Sequence, residues 1–233
     1  MTFHRFNEPL ADQELIFKRV SQVRELLPLC TPMINTNGDY ITDKMYMLEL
    51  IDKGVRRIII NLYLNKSDSF FNKHDVYAKF LSFFERVKVE HTKIHFNQYM
   101  HRYECSLTDK NICNKASVSV KIQNFELTAL NMAGAVVTGR KQERFQPCPQ
   151  PFEGVFIDYN GYVMPCCMMR HDIEEHKYAI LGNIKDNSIF ELFCGKKMTE
   201  FRKQVKYHGQ KYKACRYCDL YAGTWMGESC PLL

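Results

Sequence analysis

The chain has 233 residues, a net charge of +6, 45% hydrophobic and 25% charged residues, the balance of a globular protein with one large domain or somewhat more. No apolar run approaches the ~18 residues of a membrane-spanning helix. The opening MTFHRFNEPLADQE lacks the apolar core of a secretion signal, so we expect a cytoplasmic protein with no membrane partner. The positive charge is spread along the chain without a basic block or aromatic-basic motif, which argues against nucleic-acid binding.

The first predicted element is a helix over residues 12–27, DQELIFKRVSQVRELL, with Leu15, Ile16, Val20, Val23, Leu26 and Leu27 near helical spacing. Pro28 ends it. TPMINTNG reads as a short buried strand and turn. TDKMYMLELIDKG reads as a helix, with Thr42 as N-cap and Gly54 as stop. VRRIIINLYL is β-branched and reads as a strand. HDVYAKFLSFFERVKV reads as a helix and TKIHFNQYM as a further strand. The order β-α-β-α-β predicts parallel strands joined by crossover helices. From residue 101 to 147 only SVSVKIQNF suggests a strand. Pro and charge accumulate at GRKQERFQPCP, residues 139–149, so the boundary is set there, with regions 1–144 and 145–233.

The last third differs. GVFIDYNGYVMPCC reads as strand, turn, strand, with Asn160-Gly161 suited to a type I′ turn in which both residues take positive φ. Ser188 and Glu191 have the spacing of a capping box. The helix they open is expected to reach Val205, burying Ile189, Leu192, Phe193, Phe201 and Val205. KACRYCDL then forms a second turn.

Ten cysteines is many for a reducing compartment, and seven of them lie from Cys148 onward. Disulfides are disfavoured there, so clustered cysteines point to metal or redox chemistry. Cys215 and Cys218 form C-x2-C, a turn that aims two sulfurs at one centre. Cys166 closes the hairpin, and Cys148 precedes it on a Pro-flanked segment. A four-cysteine zinc site is commonly built from two short-spaced knuckles. Cys148 and Cys166 are separated by seventeen residues, a spacing better tolerated by an iron–sulfur cluster. Spacing alone leaves both metals open, with a lean to iron–sulfur.

The runs CPQPFEGVFIDYNGYVMPCC, LGNIKDNSIFELFCGKKMTEFRKQ and CRYC resemble the SPASM/Twitch region that follows many radical SAM barrels. The resemblance covers about residues 145–220. It implies a small α+β domain binding one auxiliary [4Fe–4S] cluster, with Cys148, Cys166, Cys215 and Cys218 as ligands. The longer SPASM pattern continues with C-x5-C-x3-C, which does not occur here, so one cluster is implied. Cys167 and Cys230 are then extras, Cys167 being directed away from Cys166 by strand alternation. Trp225, in AGTWMG, is expected to shield the site from solvent.

The N-terminal half resembles the later part of a radical SAM (β/α) barrel. INTNG at Ile34–Gly38 is similar to a strand-end motif of that barrel. Where the family often has Ser-Leu-Asp-Gly, this chain has Asn61 and Tyr63. The C-x3-C-x2-C motif that holds the catalytic cluster is not found in these residues, nor is a Gly-Gly-Glu segment. Set against the family, about two βα units, ~80 to ~100 residues, precede the point matched by Met1. S-adenosylmethionine chemistry is therefore not expected of this chain alone. A partial barrel leaves an unpaired strand edge, and three readings stay open. In the first the chain is a component of a radical SAM enzyme, a protein partner completes the barrel, and the substrate class is peptide or protein. In the second it is a non-catalytic electron-transfer protein. In the third it is a metal-stapled binding module, with zinc as the competing metal. No residue is assigned a catalytic role.

Other features read as structure. His91 and His95 are expected to be exposed polar residues, not a metal pair. Phe70, Phe71, Phe80, Phe83 and Phe84 are expected to pack. Lys53–Arg57 is a basic patch usual at a helix C-terminus, and the terminal CPLL is read as a chance match to a prenylation box.

Overall fold

The structure, a computed structural model, describes residues 1–3, 7–137 and 142–220. Its contacts divide the chain into two compact units, Met1–Thr128 and Ala129–Leu233, while the compositional change falls at 139–149.

The first unit runs α1 (Gln13–Leu26), β1 (Met33–Thr36), α2 (Lys44–Lys53), β2 (Arg57–Asn61), α3 (Lys73–Val87), β3 (His95–Asn97), β4 (Arg102–Ser106), α4 (Lys110–Cys113), β5 (Ser117–Gln123) and α5 (Phe125–Thr128). One five-stranded sheet has the order β1-β2-β5-β4-β3. β1, β2 and β5 are parallel; β4 and β3 are antiparallel additions. The fold is thus mixed α/β with a parallel-containing sheet. The expected third parallel strand, TKIHFNQYM, is instead the outer arm of a hairpin with β4. Its turn, residues 98–101, carries no Asn-Gly signal; His101 supplies the positive φ of 46°. The third parallel position belongs to SVSVKIQNF, whose Val118, Val120 and Ile122 alternate inward.

The core between sheet and helices is built from Ile34, Met47, Leu50, Ile51, Ile58, Ile60 and Phe80, all fully buried. Helix α1 buries Ile16, Val20 and Val23, but Leu15, Leu26 and Leu27 are exposed, so its apolar stripe is narrower than the spacing suggests. Asp43, not Thr42, caps α2, its carboxylate accepting the Tyr46 N–H at 2.9 Å; Gly54 closes it at φ +124°. At the outer edge of β1 the Met33 N–H donates to the Met1 carbonyl at 2.8 Å, and Thr2 bridges Met33 in parallel. The edge expected to be unpaired is therefore engaged at that point. Phe80, Phe83 and Phe84 pack as expected, whereas Phe71 is exposed. The His91 ring stacks on Phe84 with centroids 3.7 Å apart, and His95 lies on the surface 3.6 Å from Glu104.

The second unit holds α6 (Gln150–Glu153), β6 (Phe156–Ile157), β7 (Tyr162–Met164), β8 (Gly182–Asn183), α7 (Ile189–Cys194) and α8 (Lys196–Val205). The three strands form an antiparallel sheet, β6-β7-β8. The β6–β7 turn differs from the expected type I′ geometry. Asp158 N–H bonds Tyr162 O, and Gly161 N–H bonds Asp158 O, both at 2.8 Å. Gly161 has φ +85°, but Asn160 is not in the positive-φ region. This is a three-residue loop closed by a left-handed glycine. The Asn160 carbonyl accepts a hydrogen bond from the Asn183 side chain at 3.0 Å, so the residue serves the turn through its carbonyl. A Cβ at position 161 would lie 2.8 Å from the Asn183 Oδ1. Gly161→Ala is expected to lower the stability of this unit by about 1–2 kcal/mol, read from denaturant melts; an unchanged midpoint would show the turn tolerates the side chain.

The capping box is present: Glu191 N–H donates to Ser188 Oγ, and Ser188 N–H to Glu191 Oε2. The helix it opens does not run unbroken to Val205. Gly195 takes an extended conformation, φ −69°, ψ 167°, and splits it into α7 and α8. A Cβ there would meet the Glu191 carbonyl at 2.5 Å. The break turns α8 so that Met198, Phe201 and Val205 are buried, while Ile189 is left exposed.

Candidate functional site

Four stretches of the second unit meet around one cavity. Residues 142–148 arrive without regular secondary structure. Arg144 N–H donates to Arg216 O at 2.7 Å, and Cys148 N–H to Val205 O at 2.9 Å, tying this segment to the C-x2-C turn and to the end of α8. Strand β7 delivers Cys166 just beyond Met164 and Pro165. The C-x2-C turn is closed by Cys218 N–H to Cys215 O at 3.4 Å. The fourth stretch, around Met132–Gly134, has three consecutive positive φ values, 48°, 54° and 93°, an unusual backbone for the two non-glycine residues. It is held from both sides: the Asn131 N–H donates to Asp219 Oδ1 at 2.9 Å, and fully buried His176 links Arg170 N–H to Ala133 O, each at 3.1 Å.

Cys148, Cys166, Cys215 and Cys218 all line this cavity, together with Met168, Met169 and Phe201. The cavity is narrow and its lining is mostly apolar, leaving little room for water. Three of the four sulfurs accept a backbone N–H from two residues on: Cys148 from Gln150, Cys166 from Met168, and Cys218 from Leu220. Such amides stabilise the thiolate form and hold the sulfur in place. Burial acts in the opposite direction and is larger. It raises the pKa of Cys148 and Cys218, puts Cys215 at about 12, and pushes Cys166 well up, with the neighbouring cysteines adding to the shift at Cys166 and Cys215. Buried thiols crowded together stay protonated until a cation or cationic cluster replaces their protons.

The donor set fits an iron–sulfur cluster: four sulfurs, amide donors to three of them, a dry wall. Among the described residues no three His, Cys, Asp or Glu side chains converge tightly enough to hold a single metal ion. Cys167 faces away, its thiol 3.4 Å from Gln150 Oε1. Trp225 and Cys230 lie outside the described residues.

Sequence reasoning missed two buried cations, Arg144 in this wall and Lys211 near it. Arg144 is 5% and Lys211 2% exposed. Each lies four residues before a cysteine of the site, Arg144 before Cys148 and Lys211 before Cys215, a repetition visible in the sequence but hidden among 32 lysines and arginines. No helix of the described residues is long and apolar enough to cross a membrane.

Residues 148–219 match the SPASM family model, an iron-sulfur cluster-binding domain. Over 221 residues the chain is 23% identical to S-adenosyl-L-methionine-dependent 2-deoxy-scyllo-inosamine dehydrogenase of Niallia circulans, covering 94% of this chain and 72% of that protein. Among solved structures it is similar to BtrN in complex with AdoMet and 2-DOIA, with TM-score 0.58 at 19% identity over 89% of this chain and 66% of that one. It is also similar to selenomethionine BtrN in an open conformation, with TM-score 0.56 at 19% identity, covering 95% and 71%. The chain thus spans just under two thirds of the first of these structures, and the structural likeness concerns the fold. Residues 148–219 thus match an iron–sulfur cluster-binding domain model, and the likenesses together support a radical SAM/SPASM family protein.

Proposed function

We propose that the chain binds one auxiliary [4Fe–4S] cluster through Cys148, Cys166, Cys215 and Cys218 and acts as the C-terminal part of a radical SAM/SPASM enzyme. The observation that carries this reading is the meeting of these four cysteines, far apart in sequence, around one dry cavity. When bound, such a cluster supplies a centre that takes up and releases one electron. With four thiolates available, no iron is left open, which favours electron relay or a structural role over direct ligation of a substrate. The chain's residues hold the sulfurs, donate amides to them and exclude water. The first unit contributes a partial (β/α) barrel. A C-x3-C-x2-C segment from outside these 233 residues would hold the catalytic cluster.

Likeness to a dehydrogenase favours substrate oxidation, beside the peptide or protein modification common among SPASM enzymes. The alternative, a non-catalytic electron-transfer or metal-stapled module, makes a different prediction in one assay. Incubated anaerobically with S-adenosylmethionine and reductant, the chain alone is expected to yield no 5′-deoxyadenosine. Adding a polypeptide that carries C-x3-C-x2-C and completes the barrel is expected to start its formation. Cleavage by the chain alone, or none with any such polypeptide, would overturn the enzyme-component reading.

A further inference from the structure

We propose that Arg144, assisted by Lys211, is the electrostatic counterweight of the cysteine cavity and raises the reduction potential of the cluster held there; this rests on the iron–sulfur reading above. The Arg144 guanidinium donates to three backbone carbonyls: Nε to Gln146 at 3.2 Å, Nη1 to Leu220 at 2.6 Å and Nη2 to Pro147 at 2.8 Å. These partners are dipoles, not anions. Lys211 Nζ donates to the Tyr207 carbonyl. Among the described residues neither cation has a carboxylate within ion-pair distance, although both are almost wholly buried.

Burying one cation is costly, and two that repel each other cost more, unless negative charge lies close by. Arg144 borders the cavity itself, and its charge is felt at Cys148, Cys215 and Cys218. Lys211 is coupled to Cys148 and Cys215. A cluster ligated by four thiolates is a net anion and gains a further negative charge on one-electron reduction. Arg144 in the wall and Lys211 near it therefore favour the reduced state. Glu153, near Cys148, and Asp219, near Cys218, act in the opposite sense. Glu153 is exposed and Asp219 half-buried, so solvent screens them more than the two cations.

The test is a redox titration, followed by electron paramagnetic resonance, of wild type, Arg144→Gln, Arg144→Lys and Lys211→Met, each reconstituted anaerobically and matched for iron and sulfide. Arg144→Gln is expected to lower the midpoint potential by at least a tenfold change in the reduced-to-oxidised ratio, about 59 mV for one electron. Lys211→Met is expected to shift it in the same direction by less. Arg144→Lys keeps the charge and is expected to stay near wild type, although it loses the three-carbonyl fork. If Arg144→Gln does not hold a cluster, Lys211→Met decides. Loaded variants at the wild-type potential, or Arg144→Lys shifted as far as Arg144→Gln, would overturn the proposal, since a purely structural arginine predicts one or the other. Wild-type protein that takes up no iron and sulfide would instead overturn the reading on which the proposal rests.

Discussion

Replacing Cys166 by alanine is expected to cost the protein most of its iron while barely changing the metal-free form. The thiol is 6% exposed, and removing one sulfur from a core typically costs about 1 kcal/mol. That is the whole effect expected on metal-free protein. In the loaded protein the same change removes one of four corners of a site that links β7 to the C-x2-C turn, residues far apart in the chain. Metal binding at such a site contributes directly to folding, so the loaded variant is expected to melt much earlier than loaded wild type, with residues 148–218 losing hydrogen-exchange protection. Cys167→Ala and Cys194→Ala are the controls. Cys167 faces Gln150 and Cys194 is exposed, so both variants are expected to keep full iron. Full iron content in Cys166→Ala would remove this residue from the ligand set.

The second large effect is expected at His176. Its ring is fully buried and bonds on both sides, Nδ1 accepting from Arg170 N–H and Nε2 donating to Ala133 O. His176→Ala removes one hydrogen bond from a backbone donor and one from a backbone acceptor, at about 1–3 kcal/mol each. It also releases the Met132–Gly134 stretch, whose left-handed backbone persists only while its surroundings hold it. A destabilisation of about 2–5 kcal/mol is expected in urea melts. His176→Gln, which keeps one acceptor and one donor, is expected to recover part of it. Because Ala133 borders the cysteine cavity, loaded His176→Ala is also expected to release iron faster to a chelator. A change under about 1 kcal/mol would show that the histidine only fills space.

The convergence of the four cysteines was more legible than the order of the sheet, for a physical reason. Cysteines converge on turns, and turns announce themselves locally: Gly161 ends the hairpin loop, and C-x2-C is itself a turn. The capping box at Ser188 was legible for the same reason. The break at Gly195 was not, because the apolar spacing of Leu192, Phe201 and Val205 continues across it. The long-range order of the sheet was hidden too. His95–Asn97 and Arg102–Ser106 are short, and their turn lacks a glycine. Nothing local says that β5 inserts between β2 and β4. The amides donated to Cys148, Cys166 and Cys218 carry no residue signature at all, since any residue but proline provides one. Asp43 displaced Thr42 as the helix cap because two good caps stand side by side and only backbone geometry chooses between them.

Arg144 shows the limit of composition. A net charge of +6 reads as a solvated surface, yet two of the cations that make it up are buried, Arg144 beside the cysteines and Lys211 near them. Only their placement, each four residues before a cysteine, distinguishes them in the sequence.

The most direct test of the central claim is the iron, acid-labile sulfide and zinc content of anaerobically purified protein, taken with its absorption spectrum. About four irons and four sulfides per chain, with the broad visible absorption of a thiolate-ligated cluster, are expected. Zinc in stoichiometric amount without sulfide would contradict the account and make the four cysteines a structural staple.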